Sequence, residues 1–242
     1  MTLRAAVQHA ACLLALAVVP GCYGNEQMTF NDMDGGVGFG DGGALTGLEP
    51  WEAEIVAMRP AATEDDPCPE MLNVAANGRY MRALSSHAVG CVHQPLATVW
   101  QAIIDPQVGR DPTSTTTFDV VEPRIDAECP DGDFDALYQT QWHAMSGAFG
   151  ADARLCWRHG VVEGSVEEPL RAASRWQKVW GTTAITTLEG SMLAYPLAGH
   201  PDITVVEYQY HLDSLLSDHG TIDSYLRVIY GRLVERSHGR PL

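Results

Sequence analysis

Six stretches rich in threonine, valine, tryptophan and tyrosine follow one another with little more than turn residues between them, and this succession constrains the fold more than any other feature. They are Thr115–Val121, Leu137–Met145, Ala153–Val162, Ser174–Thr183, Ile185–Tyr195 and Ile203–Leu212. Their β-branched and aromatic content suits a pleated surface. Pro130-Asp131-Gly132-Asp133, Gly147 to Gly150, Gly164 to Pro169 and Gly199-His200-Pro201 supply the turns. Parallel neighbours would need a crossover of a dozen or more residues between each pair, so connections this short predict an antiparallel meander.

Around that meander the period changes. Leu84 to His93 suits a strand, ended by Gln94-Pro95 because proline has no N–H for a ladder. Leu96, Val99, Trp100, Ile103 and Ile104 then fall on one helical face, and Asp105-Pro106 stops that helix. Val108 to Pro112 reads as a second short helix or a turn. The chain closes with its clearest helix, where Ile222, Tyr225, Leu226, Ile229, Leu233 and Val234 make an apolar stripe. Asp223, Arg227, Arg232, Glu235 and Arg236 face away. Thr221 is the expected N-cap, and Gly239 with Pro241 provides the stop. A helix with one apolar face must cover something, and the sheet is the available surface.

The first residues predict a compartment. Met1 to Ala6 carry one positive charge, Arg4, and Ala10 to Val19 form an apolar run. That run is half of the roughly 20 residues needed to span a bilayer core, but it fits the apolar region of a secretory signal. It ends in Val19-Pro20-Gly21-Cys22, which resembles the bacterial lipobox, with Pro20 as a departure from the usual small residue. The resemblance implies cleavage before Cys22 and acylation of its thiol, leaving Cys22 as the mature N-terminus. From Tyr23 to Gly47 the chain is rich in glycine and aspartate with no base. This reads as a flexible tether with an end-to-end distance of about 25–30 Å. Asn31 to Gly35 has a passing likeness to a calcium loop but lacks the later ligands that complete such a cage. Trp51 to Met58 suits a short helix stopped at Arg59-Pro60, and Ala61 to Pro69 an acidic, proline-rich loop. The expected organisation is thus a signal peptide over 1–21, a tether over 22–50, an N-terminal extension over 51–83 and one folded domain over 84–242.

The net charge of the 242-residue chain is −16. Its basic residues are scattered, so phosphate backbones and anionic headgroups are repelled and nucleic-acid binding is disfavoured. Removing residues 1 to 21 takes away Arg4 and no acid, which leaves the repulsion in place. Any hold on a membrane therefore falls to acyl chains, through burial of about 0.8 kcal/mol per CH₂.

Val92-His93-Gln94-Pro95, with Val99-Trp100 and Asp105-Pro106, opens the order strand, short helix, antiparallel strands, long C-terminal helix. This order, from about Leu84 to Gly239, resembles the START-like (SRPBCC, polyketide cyclase-type) helix-grip superfamily. Trp157-Arg158-His159-Gly160 and Arg175-Trp176-Gln177-Lys178-Val179-Trp180-Gly181 look like a subgroup of it. The resemblance implies an α+β helix-grip fold, a curved antiparallel sheet wrapped around a long C-terminal helix with an apolar cavity between them. The superfamily holds binders and enzymes alike, and fold does not choose between them.

Candidate chemistry is sparse. Nine histidines are mostly isolated; His87 and His93 share a strand face but lie about 20 Å apart, too far for one metal ion. His211, two residues from Asp213, reads as a solvated strand end. No HExxH, CxxC, GxSxG or phosphate loop is present, and neither a metal nor a cofactor is expected. Lys178, the only lysine, shares a strand face with Trp176 and Trp180. That face either looks outward, with the lysine stem along the indoles, or inward, with the ammonium ready for an acidic ligand. On the last strand Tyr208 and Tyr210 belong to the inward set.

The expected ligand-binding residues are Tyr208, Tyr210, Tyr225, Leu226 and Ile229, with Trp176 and Lys178. Export permits disulfides; Cys68 and Cys129 lie in polar, proline-flanked loops and are expected to pair, with Cys91 and Cys156 as small buried apolar groups. The leading functional expectation is a lipid-anchored protein of the bacterial cell envelope, at the outer membrane, that binds a hydrophobic small molecule or lipid between sheet and C-terminal helix. Two alternatives stand beside it. One is a cyclase- or hydrolase-like enzyme using Lys178, His143 or His211 in the same cavity, and the other a scaffold with a filled core.

Overall fold

The computed structural model describes residues 25–27, 55–80, 82–113, 115–121, 136–146, 149–215 and 218–242. In chain order the elements are β1 (Asn25–Gln27), β2 (Leu72–Tyr80), β3 (Ala83–Val92), α1 (Leu96–Ile103), β4 (Thr115–Val121), β5 (Ala136–Ser146), β6 (Phe149–Gly164), β7 (Pro169–Thr182), β8 (Ile185–Leu197), β9 (His200–Ser214) and α2 (His219–Ser237). The strands make one antiparallel sheet in the order β2-β3-β9-β8-β7-β6-β5-β4. The meander from β4 to β9 therefore pairs each strand with the next, and β9 closes against β3. Each expected strand is present. Leu72–Tyr80, expected in the N-terminal extension, is the outer partner of β3, with Leu72 opposite Gly90.

Strand parity sorts the side chains onto two faces. Ala88 and Val92 of β3, Trp157 of β6, Ala172 and Trp176 of β7, Met192 and Ala194 of β8, and Tyr208, Tyr210 and Leu212 of β9 share one core with both helices. This is the inner face. α1 contributes Leu96, Val99, Trp100, Ala102 and Ile103, and α2 contributes Ile222, Leu226, Ile229, Tyr230 and Leu233. Burying a side chain of this size stabilises by about 1.5–3 kcal/mol. Tyr230 replaces Val234 in the most buried part of the stripe because α2 lies over Gly90, where an added Cβ would meet the Tyr230 ring at 2.6 Å. The N-cap of α2 is Asp218: the Thr221 N–H donates to its Oδ1 at 2.7 Å, which moves the helix start ahead of the expected Thr221.

The N-terminal segment covers part of the outer face. Ala57 and Cys68 are buried with Val89, Cys91, Leu197, Ile203 and Val205. The Ile55 N–H donates to Asn77 Oδ1, and the Ala57 N–H to His87 Nδ1 at 3.0 Å. Residues 55–58 are therefore irregular chain rather than the end of the expected helix, since the amides of Ile55 and Ala57 bond to side chains of β2 and β3. Cys68 is bonded to Cys91, which corrects the expected Cys68–Cys129 pairing. The cause is register: with Leu72 opposite Gly90, the chain before β2 runs past the end of β3, and the two Cα atoms stand 6.0 Å apart. Cys156 is disulfide-bonded too, so neither strand cysteine is the free apolar group expected.

One piece of the predicted tether is structured. Asn25–Gln27 pairs antiparallel with Thr182, Gly181 and Trp180 of β7. It uses the edge that β8, whose pairing with β7 ends at Gln177, leaves open. The expected signal peptide, Cys22, the rest of the expected tether and Cys129 lie outside the described residues. No described helix is long and apolar enough to cross a membrane.

Candidate functional site

Two cross-strand rows of the inner face run beneath the helices. The first is His159 on β6, Ser174 on β7, Met192 on β8, Tyr208 on β9 and Ala88 on β3. The second, one step along each strand, is Trp157, Trp176, Gly190, Tyr210 and Ser86. In the second row the rings touch in series. Trp157 and Trp176 stack with centroids 5.0 Å apart, Trp176 and Tyr210 lie 6.2 Å apart, and Tyr225 of α2 meets Tyr210 at 5.1 Å. Gly190 makes room for this, because a Cβ there would sit 2.0 Å from Trp176 Cζ2. Tyr225 continues past the rings, and its hydroxyl donates to the Gly109 carbonyl at 2.9 Å, tying α2 to the turn after α1.

Three buried polar atoms on this face have no hydrogen-bond partner among the described residues: Ser174 Oγ, Trp176 Nε1 and Tyr208 Oη. All three side chains are essentially inaccessible to solvent. An unmade hydrogen bond in such a place costs about 1–3 kcal/mol, so a set of three on one wall is an unusual concentration. Burial, together with Tyr230 and Tyr225 nearby, pushes the Tyr208 hydroxyl well up in pKa, which keeps it protonated and able to donate. His159 shares their row. It stacks on Trp157 at 6.3 Å, takes the edge of Trp100 at 6.2 Å, and is pushed down to about 3 by burial. Its imidazole is neutral across the physiological range. Sequence reasoning missed His159 although its parity with Trp157 was legible in Trp157-Arg158-His159-Gly160.

The expected ligand residues are mostly brought together. Tyr208, Tyr210, Trp176, Leu226 and Ile229 are buried in one core, with Tyr225 packed against it. Lys178 is inward and buried, 1% exposed, which overturns the outward placement. Its ammonium donates to the Ile185 carbonyl at 2.6 Å and the Thr182 carbonyl at 3.2 Å, so it serves the β7–β8 turn.

His211 does not join them. It is buried on the outer face, where Nδ1 lies 2.9 Å from Glu189 Oε1 and Nε2 lies 3.2 Å from Gln209 Nε2, which also donates to Ser85 Oγ at 2.7 Å. The solvated strand end is thus corrected: β8 and β3 flank β9 on both sides and enclose the imidazole. Asp213, its expected neighbour, accepts instead from Thr186 Oγ1. His143 has its side chain outside the described set. Lys178 and His211, two of the three titratable candidates for an enzyme, therefore lie on opposite faces of the sheet. Among the described residues, no three His, Cys, Asp or Glu side chains are grouped to hold a metal ion.

A nine-stranded antiparallel sheet with a C-terminal helix laid on its inner face is now fixed by register and packing. The arrangement is a helix grip. No protein-family model and no curated protein matches the sequence. Among solved structures, the human StarD13 lipid transfer and protein localization domain is similar at a TM-score of 0.47 and 13% identity, over 72% of this chain and 88% of that one. A START superfamily protein from Mycobacterium smegmatis is similar at 0.44 and 12%, over 64% and 97%. The Zhui aromatase/cyclase of a Streptomyces species is similar at 0.38 and 11%, over 64% and 86%. These are likenesses in the path of the chain, and the helix-grip description rests on the geometry above.

Proposed function

We propose that the protein is a lipid-anchored component of the bacterial cell envelope that binds a largely apolar small molecule or lipid between the inner face of the sheet and α2. The observation that carries the binding reading is the trio Ser174 Oγ, Trp176 Nε1 and Tyr208 Oη, buried among aromatic rings without partners among the described residues. A ligand with an apolar body and one or two oxygen atoms satisfies such a wall, since apolar lining with a few placed polar groups is the usual form of a small-molecule site. The indole N–H can only donate, so the ligand presents at least one acceptor. Anchoring is carried by the signal-like start and the Cys22 tetrapeptide, and it places the domain on a membrane surface, the outer membrane in this reading, without requiring basic side chains.

Native mass spectrometry of the purified, membrane-extracted protein tests the binding. A co-purified mass that leaves on denaturation, together with saturable uptake of fatty acid, sterol or aromatic polyketide probes by dye displacement, is the expected result. Ile229→Trp then blocks uptake while the fold is retained. A parent that takes up no apolar probe, with an Ile229→Trp variant that is strongly destabilised by overpacking, favours a filled core and ends the binding proposal. The anchor is tested by fractionating Cys22→Ser, which is expected to leave the membrane pellet.

A further inference from the structure

We infer that His87 is a pH-operated catch for the strap formed by residues 55–58: the neutral imidazole holds the strap on the outer face of the sheet, and a proton on Nδ1 releases it. The strap is fastened at three points. The Ile55 N–H donates to Asn77 Oδ1, the Ala57 N–H donates to His87 Nδ1 at 3.0 Å, and the Met58 carbonyl accepts from Asn73 Nδ2 at 2.9 Å. His87 is the middle point, and of the three side chains it alone titrates. Ala57 is buried there with Val89 and Cys91, while Ile55, Val56 and Met58 stay exposed.

A backbone N–H can only donate, so the Nδ1 that faces Ala57 is the unprotonated nitrogen and the ring carries its proton on Nε2. The contact thus fixes a neutral tautomer. Nε2 lies 3.8 Å from Glu207 Oε2, and Glu207 Oε1 accepts from the Tyr195 hydroxyl. A second proton on the ring has only Nδ1 to go to, where two donors then face each other, and the strap escapes that opposition by leaving. Glu207 favours the charged ring and keeps it in place. The other neighbours do not compete for the proton: Ala75 of β2 and Gln209 of β9, which stand opposite His87, are uncharged. Tyr195 of β8 is kept protonated by burial and by Glu207, and Arg59 of the loop after the strap and Arg171 of β7 act on Tyr195. Burial lowers the His87 pKa from 6.5 against the pull of Glu207. The holding form is therefore in place above pH 6.5 and is lost as the pH falls through the lowered value. Further along the chain the Cys68–Cys91 bridge is indifferent to pH in this range, so release stops short of it. The catch lies on the face opposite the proposed ligand site and does not depend on that site. In a chain anchored as proposed, release adds slack between membrane and domain and leaves the sheet folded.

The test is amide hydrogen exchange of the purified, membrane-extracted protein at pH 7.5 and pH 5, with each rate divided by the intrinsic rate at that pH. Ala57 is expected to lose protection by about five-fold or more at pH 5, while the amides of β9 and α2 keep theirs. In His87→Gln, whose side chain takes up no proton, Ala57 is expected to be equally protected at both pH values. Unchanged protection of Ala57 in the parent overturns the catch, and so does an equal loss in His87→Gln. A loss shared by β9 and α2 marks general unfolding and overturns it too. Should His87→Gln fail to fold, Glu207→Gln supplies the check. Without the carboxylate that favours the imidazolium, release moves to lower pH, and release at an unmoved pH overturns the catch.

Discussion

Tyr210 on β9 and Tyr225 on α2 meet ring to ring, with centroids 5.1 Å apart and planes tilted by 46°. The C-terminal helix is thereby keyed to the sheet at the point where the Trp157, Trp176 and Tyr210 rings end. Such a pair contributes about 0.5–1.5 kcal/mol beyond its buried area. A double-mutant cycle of Tyr210→Leu and Tyr225→Leu, followed by urea denaturation, is expected to show a coupling in that range. Strict additivity would mean that the rings are neighbours without being partners.

Gly190 is the seat of Trp176. Adding one methyl group puts a carbon 2.0 Å from Trp176 Cζ2, so Gly190→Ala must shift the indole or spread β7 from β8. A loss of about 1–3 kcal/mol is expected, with a change in tryptophan emission that an equivalent substitution at an exposed glycine does not produce.

Burial depresses His159 from 6.5 to about 3, and this gives stability a pH dependence of definite sign. Below pH 6.5 the unfolded chain takes up a proton that the folded chain refuses until about pH 3. The contribution is therefore fully present above pH 6.5 and is lost as the pH falls, at up to about 1.4 kcal/mol per unit. His87 is lowered by burial as well and acts in the same direction. Denaturant midpoints between pH 6.5 and 5 are expected to fall more steeply in the parent than in His159→Gln. Parallel slopes would show that the imidazole is protonated in the fold.

The bridge between Cys68 and Cys91 closes a loop with a sequence separation of 23. On chain-entropy grounds its removal costs about 3 kcal/mol. Cys68→Ser and Cys91→Ser are expected to cost similar amounts, and the double substitution no more than either alone. Summed losses in the double variant would mean that the two sulfurs contribute separately.

The strands and both helices were legible because their signals are local: alternation, turn residues and a stripe at helical spacing. What was not legible depends on register. Cys91 as the partner of Cys68 follows from Leu72 opposite Gly90, and no feature of Asp66-Pro67-Cys68-Pro69 announces that a strand begins three residues later. The inward tyrosines Tyr208 and Tyr210 were readable from parity within their own strand. Lys178 was not, because its strand alternates tryptophan and lysine against arginine and glutamine, and polarity alone does not say which set faces in. His159 was hidden by its neighbour: Trp157 and His159 point inward while Arg158 points outward and is equally buried. Both faces of that strand are closed, so neither set betrays its side by being wet.

Lys178 has a further consequence. It is the only lysine in the chain, and its amine is enclosed beneath the β7–β8 turn. The folded surface accordingly presents no lysine to amine-directed reagents or to a lysine-specific endoprotease. Acylation or cleavage at this one position then occurs only in molecules whose inner face has opened. A single mass shift, or a single cut, therefore counts opening events directly, which makes the protein its own clock for the slowest motion of its core.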